Sequence, residues 1–136
     1  QYKTYHANSW GLSAGDCPSG YCVFGSTPCL RKPRHNGTVS IYSALSCLPF
    51  IPAETLKSID YLYHHQPSTW GKYGFFDAYN LDVTPAWYSQ ALYGIDKGCS
   101  MIMIENYLSG LIWKTYTRSK PIQESLKILQ FIPKQE

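Results

Sequence analysis

The sequence predicts a mainly α-helical, single-domain protein, on three observations. Apolar residues recur at helical spacing through most segments after residue 39, prolines stand where those segments start or stop, and 136 residues suit one domain but not two. Residues 13–38 come before the helices. Gly15, Pro18, Gly20, Gly25, Pro28, Pro33 and the Asn36-Gly37 pair mark a long, turn-rich loop. Asn36-Gly37-Thr38 also fits the N-glycosylation pattern, which implies exposure.

Helices follow. Ile41, Ala44, Leu45 and Leu48 give Ser40–Leu48 a helical stripe that Pro49 ends. Pro52 in a first turn, Glu54 near its positive end, and Leu56, Ile59 and Tyr63 on one side predict an amphipathic helix over 52–65. Its other side carries Lys57, Asp60 and His64, and Pro67 stops it. The aromatic, glycine-punctuated run from Trp70 to Leu81 reads as extended. Thr84-Pro85 opens a short helix to Gly94, Asp96 caps a long one over 97–117, and Pro121 opens a last one closed by Pro133. In 97–117, Met101, Ile102, Met103, Ile104, Tyr107, Leu108, Leu111, Ile112 and Trp113 cover most of the circumference. That predicts burial on nearly all sides, as for an inner helix of a double-layered helical barrel. Glu105 within it must be paired, protonated or facing a polar cavity.

Composition excludes several functions. Twelve Lys and Arg against nine Asp and Glu give +3, and the densest basic group is Arg31, Lys32 and Arg34 in a loop. No nucleic-acid partner is expected, since no element carries a basic stripe. No uncharged apolar run reaches about 18 residues, so no membrane span is expected. Twelve tyrosines and four tryptophans beside few charges suit a neutral, polyhydroxylated ligand that offers C–H faces and hydroxyls together. Of five cysteines, Cys17, Cys22 and Cys29 crowd one loop. Their spacing is not that of a zinc site, so neither metal nor other cofactor is expected, and loop disulfides or plain thiols are. The chain begins at Gln1, which suits a processed form or a piece of a longer protein.

Gly11-Leu12-Ser13-Ala14-Gly15 matches the G-x-S-x-G pattern, but a polar segment precedes it and a loop follows, where a nucleophile elbow needs a buried strand and a helix. The four histidines lack partners in the sequence that would make them ligands. The carboxylates say more. Glu54, Asp60, Asp82, Glu124 and Glu136 read as solvated or terminal, whereas Asp16, Asp77, Asp96 and Glu105 sit among aromatics and glycines. Asp77, flanked by Phe75, Phe76 and Tyr79, is placed for a desolvation-raised pKa, which proton transfer near neutrality requires. Glycoside hydrolysis uses two such carboxylates. Asp96 as a helix cap and Glu105 as a network anchor are the structural alternatives.

Several blocks then carry a resemblance, in one order: Trp10-Gly-Leu-Ser-Ala-Gly-Asp16, Gly37-Thr-Val-Ser-Ile-Tyr42-Ser-Ala-Leu45, Leu48-Pro-Phe50, Trp70-Gly-Lys-Tyr-Gly-Phe-Phe-Asp77-Ala-Tyr-Asn80, Trp87-Tyr-Ser89, Gly94-Ile-Asp96-Lys-Gly98 and Ile104-Glu-Asn-Tyr-Leu-Ser-Gly-Leu-Ile-Trp113. Over roughly residues 8–131 the chain resembles the C-terminal part of the putative glucoamylase, or glycoamylase-like, family. That family includes bacterial endo-β-1,2-glucanases and a domain of cyclic β-1,2-glucan synthases. The resemblance implies an all-α fold, the C-terminal portion of an (α/α)6 toroid with about five helices and long aromatic-rich loops. It implies a periplasmic or secreted bacterial glycoside hydrolase acting on β-1,2-glucan or a related glucan by a two-carboxylate, inverting mechanism. Asp77 takes the base side, with Asp16 and Glu105 as further acids of the cleft. Trp10, Tyr73, Tyr79 and Trp87 become stacking residues, and Asp96 and Tyr107 further substrate contacts.

The chain departs from the family in two ways. Twelve helices of about eleven residues do not fit in it, so residues 1–136 are expected to form a partial catalytic domain without the upstream acid. Such a piece would pair with the missing N-terminal segment or with itself, and be inactive alone. A non-catalytic carbohydrate-binding or structural fragment is the alternative. The cysteine-bearing loop with its basic Arg31–Arg34 stretch also replaces a tighter, glycine-rich connection, which bears on substrate preference.

Overall fold

Asp82 ties the start of the chain to its middle. Its carboxylate accepts the Lys3 and Thr4 backbone N–H groups at 2.6 and 3.1 Å and the Thr4 hydroxyl at 2.7 Å. The structure, a computed structural model, describes residues 2–28 and 31–131. Within the expected 13–38 loop, β1 (Ala14–Cys17) and β2 (Gly20–Val23) form an antiparallel hairpin around Pro18-Ser19. A disulfide links Cys17 to Cys22. Next come β3 (Val39–Ser40), α1 (Ile41–Leu45) and α2 (Pro52–His65).

The aromatic run is extended, as its glycines suggest. It supplies β4 (Trp70–Gly71), β5 (Gly74–Phe75) and β6 (Ala78–Asn80), followed by β7 (Trp87–Tyr88). β4 pairs with β5, while β6 lies between β3 and β7 in an antiparallel three-stranded sheet. The core gathers where this sheet meets α1 and α2: Val39, Ile41, Leu45, Leu62, Phe75 and Tyr79, with Ile59, Tyr61 and Tyr88 packed against them. The described chain ends with α3 (Gly94–Leu108), α4 (Leu111–Thr117) and α5 (Lys120–Ile128).

The all-α expectation is therefore corrected to a helix-dominated fold with short strands. Five α-helices are present among the described residues, though not the five expected. No helix spans Thr84 to Gly94, because Trp87 and Tyr88 pair with Asn80 and Tyr79 across the sheet. That tertiary pairing overrides the local Thr-Pro signal. The 97–117 helix starts earlier and is broken. Gly110 takes the left-handed conformation (φ +69°), its N–H reaches the Asn106 carbonyl, and α4 begins afresh. Asn106 and Ser109 side chains then accept the Trp113 and Leu111 N–H groups. Asp96 lies inside the first turn of α3 rather than at its cap.

Burial corrects two further expectations. In α2 the covered line is Thr55, Ser58 and Leu62, while Leu56 and Tyr63 of the expected apolar stripe are exposed. On α3 and α4, which were expected to be enclosed, Met101 (69% exposed), Leu108 (71%) and Leu111 (54%) face outward. Cys29 and Pro133 lie outside the described residues.

Candidate active site

Asp77 sits at the junction of β5 and β6, and its main chain is held from two sides. Its N–H donates to the Ala91 carbonyl (3.2 Å), and its carbonyl accepts the N–H of Ile41 at the head of α1 (2.9 Å). Its carboxyl is buried, at 3% exposure, beneath the β1–β2 hairpin. The Asp16 N–H donates to its Oδ2 at 2.7 Å. Gly15 makes this approach possible, since a Cβ there would stand 2.5 Å from the same oxygen. The other oxygen, Oδ1, is buried with no donor.

Two more carboxyls surround it. The Asp16 carboxylate is fixed by the Ser89 hydroxyl at 2.6 Å, and the same Ser89 oxygen accepts the Ala91 N–H at 3.0 Å. Asp96 reaches in from the first turn of α3 and is itself buried. Burial is the main influence and pushes the Asp77 carboxyl up to about 7; the Asp16 amide opposes it. The neighbouring Asp96 carboxyl adds to the rise, as does the Asp16 charge. Asp77 can therefore both hold and release a proton near neutral pH.

The cluster borders a cavity of about 340 Å³ between α1, α3 and the β4–β5 turn. Aromatic rings dominate one wall: Trp70, Tyr73, Phe75 and Phe76. Trp70 packs edge-on against Phe75 at 4.7 Å, and Tyr73 is well exposed at the mouth. Polar groups converge opposite, from Tyr42, Tyr93, Asp96, Lys97 and Ser100. Burial lowers the Lys97 pKa against the pull of Asp77, and its ammonium donates to the Phe75 carbonyl. Burial, with the Asp16 and Asp77 charges, raises that of Tyr93. Flat faces beside converging polar groups can hold a sugar ring on its C–H face and bind its hydroxyls.

Of the residues expected at the site, the structure brings together Asp77, Asp16, Asp96 and Tyr73. Glu105 lies elsewhere: nine residues after Asp96 on one helix, it stands about 13 Å along the axis. Its carboxylate accepts the Ser109 hydroxyl at 2.5 Å. Tyr107, further along α3, is exposed and does not line the cavity. Tyr79 is fully enclosed in the core and stacks on Tyr88, its hydroxyl bonded to Ser9. Trp87 is half-buried on β7, and Trp10 lines two open recesses beside the N-terminal segment. Ser13 is no nucleophile: its hydroxyl lies 2.5 Å from the Tyr42 hydroxyl, and no histidine bonds it among the described residues.

Sequence reasoning missed Trp70, Tyr42, Ser89, Tyr93 and Lys97. All but Tyr93 stand inside the blocks that carry the resemblance, but Ser89, Tyr93 and Lys97 gain their meaning only from contacts made across the fold. Among the described residues no three His, Cys, Asp or Glu side chains are arranged to hold a metal ion.

Comparison with known proteins bears on this geometry. The family model described as "Putative glucoamylase" matches residues 1–120. An exo β-1,2-glucooligosaccharide sophorohydrolase of Parabacteroides distasonis is 33% identical over 132 residues, covering 96% of this chain but 18% of that protein. The endo-β-1,2-glucanase of Chitinophaga pinensis, solved with sophorotriose and glucose, superposes with a TM-score of 0.82 at 34% identity. It covers 93% of this chain and 29% of its own. A glucoamylase-like structure from Bacteroides uniformis gives 0.83 at 35% identity, over the same shares of the two chains. The chain thus spans less than a third of each of these relatives. The ordered blocks, the family match over most of its length and the shared fold place this chain in the glycoamylase family.

Proposed function

We propose that this chain is the C-terminal part of the catalytic domain of an exported glycoside hydrolase acting on β-linked glucan, with β-1,2-glucan as first candidate. The observation that carries the proposal is Asp77, a buried carboxyl with a proton affinity near neutrality beside an aromatic-walled cavity. The similarity to β-1,2-glucan hydrolases supports the substrate class. The Cys17–Cys22 disulfide suits an oxidising, periplasmic or extracellular setting. No helix among the described residues is long and apolar enough to cross a membrane.

In this mechanism a glucose ring stacks on Trp70 and Tyr73 while its hydroxyls meet Tyr42, Tyr93 and Asp96. Asp77 takes the proton from an attacking water, in an inverting displacement. Inversion needs its partner acid about 6.5–9.5 Å away, to leave room for that water. Asp96 belongs to the carboxyl cluster that raises Asp77 and Glu105 is not on the cavity, so neither is assigned that part. The partner acid therefore belongs to the remainder of an (α/α)6 toroid, of which this chain supplies one sector. The alternative, a non-catalytic carbohydrate-binding piece, is favoured by the same lack of an assigned second acid.

Reducing-sugar release from linear β-1,2-glucan by the complete catalytic domain separates the two readings. D77N should lower turnover about 10²–10⁴-fold while leaving glucan binding nearly intact. Unchanged turnover would remove Asp77 from the chemistry, and absence of hydrolysis in the unsubstituted domain would favour the binding reading.

A further inference from the structure

The hairpin that covers Asp77 is a small structure. Each strand has four residues, a two-residue turn joins them, and β2 is largely exposed. An isolated two-stranded hairpin is marginal in water. Its near end is anchored through the Tyr42 hydroxyl, 3.0 Å from the Ala14 carbonyl, and through Asp16 to Ser89 and Asp77. Its far end is closed within the hairpin by the Cys17–Cys22 disulfide and touches the rest of the chain through Tyr21, which meets the Tyr93 ring edge-on at 5.9 Å. Cys17 directly follows Asp16, the residue whose N–H holds Asp77, and Cys22 pairs with Gly15, the residue that lies on it. The disulfide thus joins the two strands of the carboxyl's cover beside the residues that touch it.

We propose that the Cys17–Cys22 disulfide is a positioning element for the acid cluster: it locks β1 to β2 and so stiffens the hairpin over Asp77, and its opening loosens the hairpin so that it can lift and let water reach the carboxyl. The inference rests on Asp77 being the proton-transfer group of the proposed function. A dithiol opens the bond with balanced chemistry. Its thiolate attacks one sulfur, the other leaves as a thiol, and the second reductant thiol displaces the mixed disulfide, giving two cysteine thiols and one oxidised reductant. Lifting the hairpin removes two opposing influences from Asp77, its burial and the Asp16 amide. Burial is the larger, so the net change is toward an ordinary carboxyl.

The test follows the Asp77 carboxyl carbon resonance by NMR against pH, in the oxidised chain and after reduction with dithiothreitol, with peptide mapping of the disulfide. Reduction should bring the midpoint down by about one pH unit or more while the helical circular dichroism signal stays. Exchange of the Asp16 amide should quicken about tenfold or more. C17A/C22A should reproduce both changes without reductant, whereas C47S/C99S should produce neither. An unmoved midpoint in the reduced, folded chain would overturn the proposal. So would loss of the helical signal on reduction, since the bond would then support the whole fold, and so would a map in which Cys17 and Cys22 are not linked. None of these readouts needs glucan turnover, so the proposal can fail while the hydrolase reading stands, and the reverse.

Discussion

Replacing Asp77 by asparagine should make the chain more stable at neutral pH, although it removes the residue proposed to do chemistry. The ordinary carboxyl pKa of 3.8 rises to about 7 in the fold. Between those values the folded chain keeps a proton that the unfolded chain has lost. Raising the pH through that window therefore favours unfolding. About three units at roughly 1.4 kcal/mol each sets a ceiling near 4 kcal/mol. Asp96 shares the proton, so the penalty belongs partly to the pair, and a difference of about 2–4 kcal/mol is expected at pH 7. Asparagine suits the site as a stand-in for the protonated acid. Its carbonyl oxygen can keep the Asp16 N–H, and its neutral amide brings no charge to bury beside the Asp96 and Asp16 carboxyls. Urea unfolding by circular dichroism, at one protein concentration and several pH values from about 4 to about 7, reads the effect. The two proteins should match near pH 4 and separate steadily above it, with the asparagine variant the more stable. Parallel stability curves would refute the reasoning, because the Asp77 carboxyl would then titrate alike in the folded and unfolded chains.

Gly15→Ala should destabilise the chain by about 1–3 kcal/mol in the same assay, because the new Cβ meets Asp77 Oδ2 and must push the hairpin away. An unchanged unfolding midpoint would show that the hairpin does not rest on the carboxyl. In sedimentation the isolated chain should self-associate, since Ile95, Met101, Leu108 and Leu111 are exposed together along α3 and α4. A monomer at micromolar concentration would show that this surface needs no cover. The isolated chain should also release no reducing sugar from β-1,2-glucan. Release would mean that both catalytic acids lie among Asp16, Asp77, Asp96 and Glu105.

What the sequence made legible was local. Pro52 in the first turn and Pro67 beyond the end mark the bounds of α2, because both act within one element, whereas its apolar stripe misplaces the buried side. Asp77 could be singled out because it stands among aromatics in the chain, but the hairpin that covers its carboxyl comes from 61 positions away. Asp96 shows the limit. A carboxylate near a helix start reads as a cap, and only the packing of α3 against α1 brings it into the cluster around Asp77. Ser89 and Tyr93 have no local signal; one bonds a carboxylate 73 positions away, and the other owes its raised pKa partly to two distant acids. The hairpin was hidden among glycines and prolines, where turn chemistry conceals a short strand pair. The Ser109-Gly110 break was written in the sequence, but a continuous apolar pattern outweighed a single glycine.

The apolar pattern of α3 and α4 then acquires a different meaning. It predicts a helix covered on every side, and the structure covers only part of it: Ile104 is half-buried beside the cavity, while Met101, Ile102, Leu108 and Leu111 are exposed. The pattern matches the environment of an inner helix, and the described residues supply that environment on one side alone. The chemistry is incomplete in the same manner. The cavity has an aromatic wall and a tuned carboxyl, and the other carboxyl that lines it among the described residues, Asp96, belongs to Asp77's own cluster. On the proposed reading both shortfalls have one cause, because the related solved chains are more than three times as long as the part this chain matches. A segment that packs against α3 would close the cavity from the open side and bring a second carboxylate to face Asp77 across it. Cover and catalysis would then be restored together, so adding that segment should abolish self-association and produce glucan hydrolysis in a single step.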